Sequence, residues 1–437
     1  MPVTDSLSMR WEFAPLRRLL RGIDQGWSPT AEDRTTEPDE WAVLKLSSVS
    51  RGTFRPDEHK ALPAELDPVR RLEVRQGDLL LTRANTPELV GDVCVVPEVR
   101  PNLMMSDLIY RLRLDTDRLD PRFMQYWLLS SPGRDQIARD ARGSSQSMVK
   151  ISQQTVRSWL IPVPSLEEQR AIAGYLDEKT AAIDALIAKR ERHVELLEEE
   201  RQAALARVMT SGVAQPVSVK ASGLDWLGEI PSHWTVTRLR HVVPEITVGI
   251  VVTPSRYYVE HGVPCLRSLN VRPNALAEED LAFISPESNT VHRKSIIRYG
   301  DLVAVRTGNP GTTAVVDERF DGGNAIDLII IRRSPAFDSH FLSYFMNSSL
   351  ARHQFAAGSE GALQLHFNVE TAKDLLIPLP PLEEQRRIAA HLSDVNLRRD
   401  ELVRAIQTQI DKLWEYRQTL ISAAVTGQAP VREEIPA

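Results

Sequence analysis

One segment is written twice in this chain, and the repetition limits what the chain can fold into. Ile161-Pro-Val-Pro-Ser-Leu-Glu-Glu-Gln-Arg170 returns as Ile377-Pro-Leu-Pro-Pro-Leu-Glu-Glu-Gln-Arg386, a shift of 216 residues. At the same shift Arg201-Gln202 matches Arg417-Gln418 and Thr210 matches Thr426, with no gap. Upstream the likeness is looser. Arg10–Leu16 resembles His233–Leu239, Gly77–Arg83 resembles Gly300–Arg306, and Ser106-Asp-Leu-Ile109 resembles Ile326-Asp-Leu-Ile329. Along the chain the shift drifts between 216 and 223, as expected where loops differ in length. Ordered matches of this kind mark a duplicated module. Each copy is a variable globular part followed by a nearly constant segment.

The constant segments read as long helices. Pro162 and Pro164 keep the chain extended before the first. Ser165 and Glu168 fit a capping box, and Glu167 and Glu168 suit the positive end of the helix dipole. In the second copy Pro381 replaces Ser165, so the box is lost and proline is expected in the first turn. Apolar residues then recur at heptad spacing: Leu176, Ile183 and Leu197 on one set, Ile187 and Val194 on the other. The second copy has Leu392, Ile406 and Leu413, with Val403 and Ile410. Such a seam needs a partner helix, and 45 residues would make a rod of roughly 65 Å. Ser211-Gly212 and Gly427 stop the helices at matching places. Arg190, Arg201, Arg399 and Arg417 interrupt the seam. Three readings compete: snorkelling to solvent, pairing with acidic residues on the partner helix, or contact with another subunit.

The globular parts hold short β-rich runs, among them Trp41–Leu46, Asp78–Leu81, Val93–Val96, Leu108–Leu112, Leu302–Val305 and Leu328–Ile331, punctuated by Gly, Pro and Asn. Each also holds a short amphipathic helix, Phe123 to Leu129 and Phe341 to Met346. The expected fold class is α+β, with two similar globular domains separated by two long antiparallel helices in a coiled coil. The boundaries follow: a first domain over 1–165, a long helix over 166–211, a second domain over 212–381, a second helix over 382–428, and a tail over 429–437.

Composition narrows the function. Of 437 residues 42% are hydrophobic and 26% charged, which fits a globular chain in the cytoplasm. No apolar run is long enough for a membrane span, and the N-terminus lacks a basic-then-apolar leader. Cys94 and Cys265 are too few for a zinc site or a disulfide framework. The net charge of −6 and the absence of a basic stripe predict weak non-specific affinity for DNA. Of the 53 basic residues 44 are Arg, which suits guanine reading; a GC-rich genome accounts for it equally well. No phosphate-binding loop, H-E-x-x-H or adenine-methyltransferase motif is present.

The doubled I-P-x-P-x-L-E-E-Q-R with its long helix resembles the specificity subunits of type I restriction–modification enzymes. So does Ser222-Gly-Leu-Asp-Trp-Leu-Gly-Glu-Ile-Pro-Ser-His-Trp234, which is similar to the opening of that family's target recognition domains. Gly77–Asn85 with Leu89-Val-Gly91 is similar to its mid-domain segment. The resemblance covers nearly the whole chain, but the counterpart of Gly223–Pro231 is largely missing before Trp11. It implies two target recognition domains, each reading half of a split site in double-stranded DNA, with the helices as spacer. It implies docking of two methyltransferase subunits and of restriction motor–nuclease subunits. S-adenosylmethionine, ATP and magnesium would sit on those partners and none on this chain, which would itself perform no catalysis.

Reading residues are expected in loops outside the shared motifs. In the first module the candidates are Arg51, Arg55, Lys60, Arg83, Arg142 and Lys150. In the second they are Arg267, Arg272, Arg293, Lys294, Arg306 and His366. Ordinary solvated surface is the competing account of each. Arg83 and Arg306 occupy equivalent positions, so pairing with an acidic neighbour would explain them too. The loops Gly143-Ser-Ser-Gln-Ser147 and Gly358-Ser-Glu-Gly361 could sit against phosphates. Two rival functions remain. Pro38-Asp39 with Glu58-His-Lys60 resembles the carboxylate–lysine pattern of magnesium nucleases, although the second module has no match. The rods alone would also suit a protein-binding adaptor.

Overall fold

The computed structural model describes residues 11–37, 39–145, 148–214, 218–252, 254–357 and 367–428; of 142–145 and 356–357 it describes the backbone alone. The constant segments are helical over Leu166–Ser211 and Leu382–Val425. The chain forms two compact units, Met1–Glu191 with Gln407–Ala437, and Arg192–Ile406. Each unit is thus one globular head plus half of each long helix.

In the first unit Ile172 and Leu176 share a core with Ile421, Ala424 and Val425, and Asp184 meets Arg417 at 2.8 Å. Advancing along one helix means retreating along the other, so the halves run antiparallel. In the second unit Leu205, Val208 and Met209 pack with Ile388, Ala389 and Leu392, and Glu198 meets Arg399 at 2.5 Å, which gives the same sense. Of the seam residues, Leu176, Ile183, Ile187, Leu392, Ile406 and Ile410 are buried. Val194, Leu197, Val403 and Leu413 are half-buried. For Arg399 and Arg417 the structure selects pairing with an acid on the other helix. Arg201 turns to Glu198 one turn back on its own helix.

The helix ends explain part of the repeat. Ser165 and Glu168 form the reciprocal cap, Ser165 N–H to Oε2 at 3.0 Å and Glu168 N–H to Oγ at 3.2 Å. Pro381 does not enter the first turn as expected. Its carbonyl accepts from the N–H groups of Glu384 and Gln385, so it stands at the cap, where its missing N–H costs nothing. Glu384, freed from capping, meets His233 Nε2 at 2.8 Å. At the far ends Gly212 and Gly427 adopt φ of +77° and +74°. Each lies against a tryptophan, Trp234 and Trp11 respectively.

Both heads are layered alike. The first has an antiparallel sheet in the order Leu20–Gln25, Ile109–Leu114, Leu79–Thr82, Val93–Val95. The second orders Ile246–Val248, Leu328–Ile331, Leu302–Val305, Thr313–Val315 in the same way. Alternate side chains of a strand face opposite ways. Leu79 and Leu81 join the core beneath the helices Pro121–Leu129 and Ser131–Asp140, while Leu80 joins a separate core with Cys94 and Ile109. Leu302 and Ala304 divide from Val303 and Val305 in the same manner. Burial on both faces is why these strands read as unbroken apolar runs. A smaller sheet closes the outer core of each head. Ala42–Leu44 lies between His59–Ala61 and Leu103–Met104, and Val263–Leu266 lies between Ala282–Ile284 and Asn324–Ala325.

The constant motif is tied to each head by its glutamine, which sequence reasoning passed over. Gln169 is fully buried. Its Oε1 accepts from the N–H of Asp120 at 2.8 Å, and its Nε2 donates to the carbonyls of Pro164 and Arg118 at 2.9 Å. Gln385 accepts from the N–H of Asp338 and donates to the carbonyl of Pro380, both at 2.8 Å. Asp120 and Asp338 cap the first helix of their heads. One side chain therefore locks the long helix to the head helix in both copies.

Candidate nucleic-acid interface

The expected reading residues do not gather in one place. Arg51 holds a φ of +49° in the turn between Val49–Ser50 and Thr53–Phe54, and its guanidinium lies 5.8 Å from the Trp414 ring. Arg55 is exposed just beyond that hairpin, and Lys150 is exposed at the end of the strand Met148–Lys150. Lys60 is half-buried in the small sheet. Arg83 reaches the carbonyl of Asp107 at 3.4 Å and stacks 5.7 Å from Tyr110. In the second head Arg267 donates to the carbonyl of Asp280. Arg272 is 3.9 Å from Glu279 with both side chains exposed, a pair of little energetic consequence. Arg293 and Lys294 are exposed in a short helical turn. Arg306 pairs with Asp327, the acidic neighbour that the fold-serving reading calls for. The backbone of Arg142 pairs with Lys150; its side chain, His366 and the loop 358–361 lie outside the described residues, as do residues 146–147 of the other polar loop.

Two clefts in the first unit organise the rest. One, of about 350 Å³, is lined by Ser28, Lys45, Lys60, Ser106 and the apolar edge Val43–Leu46. Lys45 meets Asp33 at 2.8 Å, and Ser28 Oγ donates to Asp107. The other, of about 290 Å³, lies between the head and the second long helix, lined by Arg51, Glu88, Asp92, Arg134, Trp414 and Arg417. Burial pushes the Asp92 carboxyl above its ordinary value, against the pull of the Arg51 N–H and the Arg134 charge. Sequence reasoning missed Lys45, Ser106 and Trp414. For Trp414 a signal existed: its repeat counterpart is Glu198, a reversal of character inside an otherwise faithful copy.

The nuclease pattern gains no support. Glu58 accepts from Ser47 Oγ at 2.7 Å, the intervening His59 is buried between Thr36 and the Pro56 carbonyl, and Pro38 lies outside the described residues. Among the described residues no group of three or more His, Cys, Asp or Glu is placed to hold a metal. Burial raises both thiols, Cys265 to about 12, which makes neither a nucleophile. Among the described residues no helix is long and apolar enough to cross a membrane.

Residues 288–412 match the family model described as the type I restriction modification DNA specificity domain. The specificity subunit of the type I restriction enzyme EcoBI from Escherichia coli is 23% identical over 335 residues, 74% of this chain and 69% of that one. The chain is thus similar to the type I restriction–modification specificity subunits. The EcoEI specificity subunit, also from Escherichia coli, is 30% identical over 191 residues, 42% of this chain; the match spans about a third, 32%, of that subunit. A chain from a solved structure concerned with complex assembly and conformational transition of the type I system superposes with a TM-score of 0.70. It covers 97% of this chain and 99% of its own length at 21% identity, a likeness of fold. The architecture of this chain is accordingly α+β: two similar heads and two long helices that run antiparallel within each unit.

Proposed function

We propose that this chain reads DNA sequence for a type I restriction–modification complex, each head reading one half of a bipartite site in duplex DNA, and performs no chemistry itself. The observation that carries the reading is the doubled head. The same sheet order, the same capped helix and the same buried glutamine tie occur twice, while side chains at matching surface positions differ. A scaffold that must recognise two different half-sites needs a constant frame with a variable surface, and base edges are read by such side chains. The long helices then act as spacer and as docking platform for two methyltransferase subunits, with restriction motor–nuclease subunits joining them. S-adenosylmethionine, ATP and magnesium belong to those partners. An acidic reader is compatible with this role because the partners contribute phosphate contacts, which dominate affinity.

The test is sequencing of N6-methyladenine in cells with and without the gene. A split motif that disappears on deletion is expected; an unchanged methylation pattern would overturn the reading. Removing one heptad from each helix is expected to change the spacer between half-sites or abolish methylation, and an unaltered spacer would count against the ruler.

A further inference from the structure

The two halves of the helix pair carry different chemistry at positions that the repeat makes equivalent. Shifting by 216 residues turns Asp184 into Asp400 and Arg201 into Arg417, so the acid–arginine positions are common to both copies. The same shift turns Ile183 into Arg399 and Glu198 into Trp414. In the second unit Arg399 Nη2 lies 2.5 Å from Glu198, and Glu198 also holds Arg201. Burial works against ionisation of Glu198, but Arg201, Gln202 and Arg399 together hold its carboxyl below the ordinary value. In the first unit the equivalent positions are the buried Ile183 and Trp414, whose ring has the Arg417 guanidinium at 5.7 Å. Asp184 beside Ile183 meets that same Arg417. At this pair of equivalent positions the second unit has an ionic contact and the first an aliphatic and an aromatic side chain.

We propose that these four positions are an address that makes each long helix pair only with the other, and not with its own counterpart in a second copy of the chain. A tandem duplication needs such a device. Two near-identical antiparallel helices pair almost as well with themselves as with each other, because the apolar seam is largely common to both copies, as in Leu176 and Leu392, Ile187 and Val403, or Val194 and Ile410. Pairing the first helix with its counterpart in another chain would set Glu198 against Ile183. Pairing the second with its counterpart would set Arg399 against Trp414 and leave it without Glu198. Either mispairing forfeits the Glu198–Arg399 contact across the seam, while Arg201 and Asp400 stay beside the two charges on their own helices, and discrimination of this kind rests on making the wrong pairing costlier than the right one.

The experiment uses the full-length chain, refolded from denaturant over a range of concentrations, with mass measured by light scattering. Glu198→Trp with Arg399→Ile makes the address apolar in both halves, and Ile183→Arg with Trp414→Glu makes it ionic in both. Either double variant is expected to raise the two-chain fraction several-fold over the parent. The second keeps the test open should the first fail to fold. All four substitutions together restore two unlike halves in reversed positions and are expected to return the chain to the parent's distribution. Double variants that match the parent, or a fourfold variant that stays two-chain, would overturn the address. Methylation plays no part in the readout, so the outcome is independent of the proposed DNA reading.

Discussion

The two heads share a frame but not a surface, and the contrast is sharpest where a loop crosses the end of the main sheet. In both, a glycine after the first strand leaves no room for a side chain. A Cβ on Gly26 would meet the Ser106 carbonyl at 2.1 Å, and one on Gly249 the Ala325 carbonyl at 2.4 Å. Beyond that shared crossing the heads diverge. The first places Ser28, Lys60 and Ser106 around its polar cleft. The second has Val251 at 47% and Val252 at 71% exposure, with Ile326 buried against Cys265 and Ile284. Where backbone must pass backbone the duplication was held; where a side chain faces outward it was released. That is the behaviour expected of a frame under packing constraint that carries a surface under a different one.

Depth also separates the heads, and here the largest effect is expected. Arg111 bridges Asp78 and the carbonyls of Glu73 and Arg71. Arg332 bridges Asp301 and the carbonyls of Ile296 and Lys294 in the same way. The Asp301 side chain is 2% exposed and that of Asp78 is 20%. Arg332→Met therefore strands a buried carboxylate and should cost about 3–5 kcal/mol. Arg111→Met should cost less, since water reaches Asp78. Hydrogen exchange read separately on peptides of each unit measures both, and equal losses would erase the distinction of depth.

The next effect should be alike in both heads. Gln169→Ala takes the partner from one N–H and two carbonyls, and Gln385→Ala from one N–H and one carbonyl, at about 2–3 kcal/mol each. The loss should appear in the unit that carries the substitution, and a clear inequality would show that the glutamine tie is not equivalent in the two copies. A smaller change tests the surface itself. Ser28→Val, Lys60→Ala and Ser106→Ile together give the first head the apolar character of the second. The half-site read by the first head should shift by a discrimination of about 1–3 kcal/mol per contacted base, with the other half unchanged in the methylation motif. Changes in both halves would break the assignment of one head to one half-site.

The smallest effect concerns the helix seam. The folded-state carboxyl of Glu198 lies below its ordinary value. Its contribution is therefore complete above the ordinary glutamate range and is lost as pH falls through the lowered value. Acidification should speed amide exchange around Glu198 and Arg399 in the parent. Glu198→Gln should flatten that pH dependence locally, which exchange measured from neutral to acid pH would detect.

Much of this was legible from residue order. The strands Leu302–Val305 and Leu328–Ile331 stand where their apolar runs placed them, because a strand buried on both faces needs no partner information to be recognised. The capping box at Ser165 and the glycine stops were equally local. The helices Ser131–Asp140 and Ser349–Ala357 escaped notice, since both are short and polar and start from serine caps close behind another helix. For the candidate site the legibility was poorer. Arg306 proved to be tied to Asp327, while Lys45 and Trp414 came to light only once distant segments were assembled around them.

The sequence by itself determined the duplication, the long helices with their ends, and the α+β character of the heads, because each is written in spacing, caps and turns that act within a few residues. Tertiary structure alone decided that each head takes half of each helix, which acid each seam arginine meets, and that a glutamine within the repeated motif fastens helix to head. Those outcomes depend on which groups lose water together. Burial couples residues such as Asp184 and Arg417, far apart along the chain, and no local pattern encodes that coupling.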